Sequence, residues 1–450
     1  MSPALYLQVF MADRTVTGCR THGELGTFML VTGALPSVMV DFDKISDPNA
    51  EYTMRDLSAE TMGIEKTRGG TRDAKITDVQ TTMVDGNYPW ILVRVYTDAG
   101  VVGNGESYWG GGDTAIIERM KPFLVGENPL DIDRLYEHMI QKMSGEGSIS
   151  GKVISAISGI EIALHDVAGK LVDLPAYQLL GGKYRDSARV YCDLHTEDEA
   201  NPQACAEEAD RVVSDLGYDA IKFDLDVPSG HEKDRANRHL RPGEIEHKAE
   251  IVEATTEAVG DRADVAFDCH WSYATGSAKR LAKRLEEYDV WWLEDVVPPE
   301  NHDAQREVTR STATPVATGE NVYRTHGNRD LIENEAIDIV APDIPRVGGM
   351  REGQKIANMA DMYYIPVAMH NVSSPIGTMA SAQLAVAIPN SLAVEYHSYE
   401  LGWWEDLVEE DGLIEDGRMD IPEEPGLGLT LDLDTVEENM VEGETLFDEA

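Results

Sequence analysis

The sequence is poor in three things, and each shortage excludes something. Only four cysteines occur (Cys19, Cys192, Cys205 and Cys269) in 450 residues. So few, so widely spaced, build no disulfide framework and no close-spaced zinc pattern, which reads as a reduced, cytoplasmic protein. Basic residues are scarce, with 38 Lys+Arg against 82 Asp+Glu and a formal charge of −44. A nucleic-acid backbone or an anionic membrane surface would repel such a molecule, so neither is expected as a partner. Long apolar runs are also missing. The most apolar stretch covers only residues 27–40, short of the roughly 20 that a spanning helix needs. Mixed charge precedes it and Gly33 and Pro36 interrupt it, which argues against a signal peptide.

What is present is apolar mass for a core, since 42% of the residues are hydrophobic, and length for two or three domains. The acid is spread along the chain and not gathered into a tail. That spread reads as adaptation to high salt, where screening weakens the self-repulsion of the fold; an ordinary acidic enzyme is the plainer alternative. The first 40 residues break the pattern, with two acids (Asp13, Glu24) and two bases (Arg14, Arg20). Residues 41–72 are polar, and Met39, Met54 and Met62 offer alternative starts. Residues 1–72 are therefore expected to be a leader that is disordered or outside the native enzyme.

From residue 75 the chain reads as folded. Runs at 75–85, 90–97 and 101–105 predict a small antiparallel sheet, the last two joined at Asp98-Ala99-Gly100. Helical spacing dominates residues 114–179. Beyond Gly181-Gly182, eight short apolar runs appear at 188–192, 220–223, 263–267, 290–293, 315–318, 337–341, 365–369 and 392–394. Most are separated by enough residues for a helix, so they predict parallel strands with helical crossovers. Eight strands suit a closed barrel, whose chemistry sits at the C-terminal strand ends.

The acids fall where that prediction needs them. Asp268 follows the third run, Glu294 the fourth and Glu320 the fifth, one strand–helix unit apart. A single carboxylate among 82 is an ordinary solvated charge, but three in phase at strand ends converge on one rim. Oxygen ligands of this kind suit a hard divalent ion, most naturally one Mg²⁺ with positions left for water and substrate. Asp343, His370 and Glu395 continue the period, Lys222 lies in the second run, and His270 shares the face of Asp268 if that strand persists.

These residues resemble the enolase superfamily, in its mandelate-racemase-like subgroup and within that the acid-sugar dehydratases. The family-like segments are residues 156–169 with Pro175-Ala176-Tyr177-Gln178-Leu179-Leu180-Gly181-Gly182, Trp292-Leu293-Glu294-Asp295 with Pro298-Pro299-Glu300-Asn301, residues 315–320, and Val367-Ala368-Met369-His370. The resemblance implies an α/β fold, a modified (β/α)₇β TIM-type barrel (residues 188–396) under an α+β capping domain (73–187), with residues 397–450 returning to the cap. It implies Mg²⁺ on Asp268, Glu294 and Glu320, His370 as the base with Asp343 as its dyad partner, and His270 as the general acid. Lys222 and Glu395 complete the catalytic group.

The implied reaction is removal of the α-proton of an aldonic acid and β-elimination of the 3-hydroxyl, a hydro-lyase step giving a 2-keto-3-deoxy sugar acid. D-gluconate and D-galactonate come first, with pentonates (xylonate, arabinonate) or racemisation on the same scaffold as the alternative. One departure counts against a two-base racemase: Lys222-Phe223-Asp224 stands where many relatives carry Lys-x-Lys. Glu106, Tyr108 and Trp109 precede a glycine run that permits a lid over the substrate, and His397 and Trp404 follow the last strand as further binding candidates. The family commonly forms dimers or octamers.

Overall fold

The computed structural model describes residues 28–30, 38–40, 73–227 and 237–448. Strands β1 (Phe28–Leu30) and β2 (Val38–Val40) pair antiparallel. The rest of the expected leader, residues 1–72, lies outside the described residues.

The capping sheet is an antiparallel meander of β3 (Ile76–Asp85), β4 (Pro89–Thr97) and β5 (Val102–Ser107). Val84 pairs with Trp90 and Asp85 with Pro89, so the three-residue tip Gly86-Asn87-Tyr88 joins the first hairpin. The sheet packs on the helix Lys152–Val172, of which all but a few residues are buried. That helix is apolar nearly all round, as a helix covered on every side must be. It approaches β5 so closely that a Cβ on Gly105 would collide with the carbonyl of Gly159 and one on Gly103 with that of Ala163. Glycine is required at both positions for this contact.

Eight parallel strands form the barrel: β6 (Ser187–Leu194), β7 (Ala220–Asp224), β8 (Asp264–Asp268), β9 (Leu293–Glu294), β10 (Val316–Thr318), β11 (Ile339–Val340), β12 (Val367–Met369) and β13 (Ser391–Tyr396). They run in sequence order, and β13 pairs back to β6 to close the ring. The paired part of β9 is shorter than the apolar run 290–293 suggests. Even so, Trp291 N–H still donates to Val265 and Trp292 O still accepts from Phe267, so its bonding to β8 extends upstream. The C-terminal segment adds β14 (Arg418–Asp420) antiparallel to β6. It then crosses to the capping sheet, where Val441 N–H donates to Met83 O at 2.9 Å.

Two buried acids tie the cap helix to distant parts of the chain. Glu161 accepts from the backbone N–H groups of Met350 (2.8 Å) and Arg351 (3.0 Å). Asp166 accepts from those of Asn104 (2.7 Å) and Leu427 (2.8 Å). No helix among the described residues is long and apolar enough to cross a membrane.

Candidate active site

The barrel interior explains why the site residues stand where they do. A buried layer of Tyr191, Ala220, Ala266, Trp292, Ala317, Ile339, Ala368 and Ala393 plugs the barrel. Side chains two residues further along a strand point the same way. On five strands that step leads from the plug to Asp193, Lys222, Asp268, Glu294 and Glu395, and on β12 from Ala368 to His370 just past the strand end. The alanines leave room above them, and Tyr191 and Trp292, packed edge to face with ring centres 5.3 Å apart, close the bottom. Chemistry therefore occupies the next layer up, at the C-terminal strand ends.

That layer is a dense ionic cluster. Lys222, 2% exposed, has its Nζ 2.6 Å from Glu395, 3.4 Å from both Asp268 and Glu294, and 3.9 Å from Asp193. Burial alone would discharge the lysine, but the surrounding carboxylates of Glu294, Glu395 and Asp193 hold it well above its ordinary pKa. His370 is nearly buried; its Nδ1 lies 2.7 Å from Asp343 Oδ2 and its Nε2 2.8 Å from Glu320 Oε2. Both ring nitrogens thus lie within hydrogen-bond length of a carboxylate, and Nε2 is the one turned toward the ligand set. Glu395 Oε2 accepts from Asn371 N–H at 2.9 Å.

Asp268, Glu294 and Glu320 present carboxylate oxygens that all lie within 4.8 Å of one another. Glu294 Oε1 is buried with no hydrogen-bond partner. Burial pushes the Glu294 carboxyl up to about 7 against the pull of Lys222. One ammonium among several buried carboxylates leaves uncompensated negative charge, which a divalent cation neutralises. All three donors are hard oxygens, so the residues fit Mg²⁺.

His270 reaches the same cluster by a route different from the expected one. The strand does not persist: β8 ends at Asp268, and His270 and Trp271 turn back with φ of 41° and 57°. His270 N–H donates to Asp268 Oδ1 at 2.8 Å, and the ring places Nε2 3.8 Å from Asp268 Oδ2. Its Nδ1 lies 3.3 Å from Asp226 and 3.8 Å from Asp224, so the residue standing in place of the second lysine faces His270.

Two sequence models cover most of the chain. One described as Enolase C-terminal domain-like matches residues 204–435. One described as Mandelate racemase / muconate lactonizing enzyme, N-terminal domain, matches residues 72–181. The chain belongs to the mandelate racemase/muconate lactonizing enzyme family of the enolase superfamily. It is 83% identical over 411 residues to a D-xylonate dehydratase of Haloferax volcanii, covering 91% of this chain and 100% of that one. A D-gluconate dehydratase of Thermoproteus tenax is 29% identical over 351 residues, 76% of this chain and 68% of the relative. Among solved structures, a mandelate racemase/muconate lactonizing enzyme-like protein from Rubrobacter xylanophilus superposes with a TM-score of 0.79. It is 40% identical and covers 84% of this chain and 100% of the other.

In this mandelate racemase/muconate lactonizing enzyme fold, the cap meets the barrel mouth, and two of the expected binding residues prove to serve the framework. Glu106 is buried and caps the helix Pro375–Ala387: it accepts from Ser374 N–H (3.0 Å), Ser374 Oγ–H (2.5 Å) and Gly377 N–H (2.9 Å). Both carboxylate oxygens are used there, so it is not free for a sugar. Trp404 is buried, donates its Nε1–H to Ser373 O at 3.1 Å and packs on Tyr396. Tyr108 and Trp109 do face the mouth. The Tyr108 ring lies 6.3 Å from that of His370, with the Arg346 guanidinium 4.4 Å over its face. The loop carrying them is tied down, since Lys152 donates to Trp109 O (2.7 Å) and Gly110 O (3.2 Å).

Arg346, Asp193, His195, Asn87, Tyr88 and Asp226 are residues of the mouth that sequence reasoning passes over. A signal exists for two of them. Asp193-Leu194-His195 ends β6 with the same carboxylate-x-His spacing that Asp268-Cys269-His270 shows after β8 and Glu395-Tyr396-His397 after β13.

Proposed function

We propose that the protein is a Mg²⁺-dependent dehydratase of a sugar acid, with D-xylonate as its preferred substrate. The observation that carries this reading is the His370–Asp343 pair facing the three-carboxylate set, with His270 Nε2 3.8 Å from Asp268. The five-carbon acid moves ahead of D-gluconate and D-galactonate, which the sequence alone puts first, because the relative sharing 83% identity is named a D-xylonate dehydratase.

Each group in the site has its own part in the reaction. Asp268, Glu294 and Glu320 would hold the Mg²⁺, which when bound would supply the positive charge that makes the α-proton of a carboxylate acidic enough to remove. His370 Nε2 takes that proton from C2, and Asp343 holds the ring in the tautomer that can. The C3–O bond breaks, and His270 passes a proton to the departing hydroxyl, which leaves as water. The enol that remains tautomerises to the 2-keto-3-deoxy acid. Lys222, held among Glu395, Asp268 and Glu294, balances the charge beside the substrate carboxylate.

The acid excess supports a cytoplasm of high salt as the working medium: an aldonate is itself an anion, so screening of the global repulsion favours its approach. The test is incubation of the purified protein with Mg²⁺ in concentrated KCl against a panel of aldonates. D-xylonate should give the most 2-keto-3-deoxy acid, and EDTA should stop it. Deuterium entering recovered substrate with no keto acid formed would replace dehydration by epimerisation.

A further inference from the structure

A second cluster of polar side chains lies at the barrel mouth beyond Lys222. His195 Nε2 and His397 Nε2 are 2.8 Å apart, a hydrogen-bond length. His195 Nδ1 lies 3.2 Å from Glu199, and His397 Nδ1 lies 2.8 Å from Asn87 Nδ2 at the tip of the β3–β4 hairpin. All four ring nitrogens are thereby engaged. The two rings form a wall at this end of the mouth.

Asp193 stands between this wall and the catalytic layer. Its Oδ2 is 3.7 Å from His397 Nε2 and 3.9 Å from Lys222 Nζ. Its Oδ1 is buried, in a residue 5% exposed, with no hydrogen-bond partner. A buried carboxylate oxygen left unpaired is costly, and a hydroxyl donor is what would satisfy it.

An aromatic strip connects the two ends of the mouth. From His370 the ring centres step to Tyr108 (6.3 Å), Trp109 (5.7 Å), Tyr88 (4.8 Å, stacked), His397 (5.3 Å) and His195 (4.5 Å). Lys222 Nζ, 3.4 Å from Asp268 and Glu294 and 3.9 Å from Asp193, spans the gap between the carboxylate set and Asp193, so a short chain molecule bound at that set has Asp193 within its reach. Aromatic faces suit the C–H side of a polyol, and an unpaired carboxylate suits its hydroxyls.

We propose that Asp193 accepts a hydrogen bond from the chain-end hydroxyl of the sugar acid, and that the His195–His397 pair is the end wall that sets which chain length is preferred. This rests on the dehydratase reading and deepens it.

The test is a ratio, so that general damage cancels. In the wild-type protein, kcat/KM for D-xylonate should exceed that for 5-deoxy-D-xylonate by about a hundredfold, because the analogue leaves a buried acceptor unpaired. In Asp193→Ala the ratio should fall to near one. In Asp193→Asn, which keeps shape and an acceptor, it should stay intermediate. His195→Ala should shift the D-gluconate to D-xylonate ratio toward the longer acid by about tenfold. An unchanged deoxy ratio in Asp193→Ala overturns the hydroxyl contact, and an unchanged chain-length ratio in His195→Ala overturns the wall. A wild-type protein inert on every aldonate instead removes the dehydratase reading, and this proposal with it.

Discussion

The floor of the barrel mouth and its side wall solve different problems. On the floor, Asp268, Glu294, Lys222, Glu395, Asp343 and His370 are all buried and held by charge. On the wall, His195 and Trp109 remain about a third exposed, and contacts between rings hold the surface together. The floor is built entirely from strand ends of one barrel. The wall is assembled from the cap hairpin, the β5 loop and two barrel strands. Charge placed by a repeating framework fixes what reaction is possible, and a surface assembled from two domains can vary the substrate without disturbing that reaction.

Removing the metal tests the floor most severely. EDTA, or Glu294→Gln, should lower keto-acid formation by at least about a thousandfold, and added Mg²⁺ should rescue the first but not the second. Full activity in EDTA would put the floor's ionic cluster down to structure alone.

Next come the two histidines, which the comparison separates. His370→Asn should cost about 10²–10⁴-fold in dehydration and abolish deuterium exchange at C2 together with it. His270→Gln should cost a comparable factor in dehydration yet leave exchange at C2 measurable, since only the leaving hydroxyl loses its acid. If His270→Gln stops exchange as well, His270 is needed for proton removal, and the division of roles fails.

The different legibility of floor and wall has a physical cause. Asp268, Glu294, Glu320, Asp343, His370 and Glu395 are readable because each strand–helix unit has nearly the same length, so a functional layer repeats in the sequence with the barrel period. The fold emerges from the same repeat, together with the three cap strands. Asn87 and Tyr88 carry no such mark: they meet His397 only because the cap hairpin folds back onto the mouth. Glu106 misleads for a related reason. A carboxylate beside aromatics and glycines looks like a binding loop, and nothing local shows that a helix N-terminus far along the chain needs it as a cap.

Glu106 therefore gives a prediction of intermediate size. Glu106→Gln replaces one of the two accepting oxygens by an amide N–H₂ that faces one or two of the three donors, and should lower stability by about 1–3 kcal/mol, read as a shifted urea midpoint at fixed salt. Activity measured well below that midpoint should change far less than in the histidine variants. Lost kcat with an unmoved midpoint would return Glu106 to the substrate wall, where the sequence places it.

The smallest effect is expected at Trp109, 37% exposed and stacked on Tyr88 with centres 4.8 Å apart. An aromatic pair of this kind is worth about 0.5–1.5 kcal/mol beyond its area, so Trp109→Ala should raise KM for D-xylonate by no more than about tenfold. The value of kcat should hold, because Trp109 packs on Tyr108 and Tyr108 in turn lies against His370. Trp109→Phe keeps a stacking face and should recover most of the loss. A variant that lowers kcat while leaving KM alone would place Trp109 in the chemical step, and the separation of wall from floor would then end one residue nearer to His370.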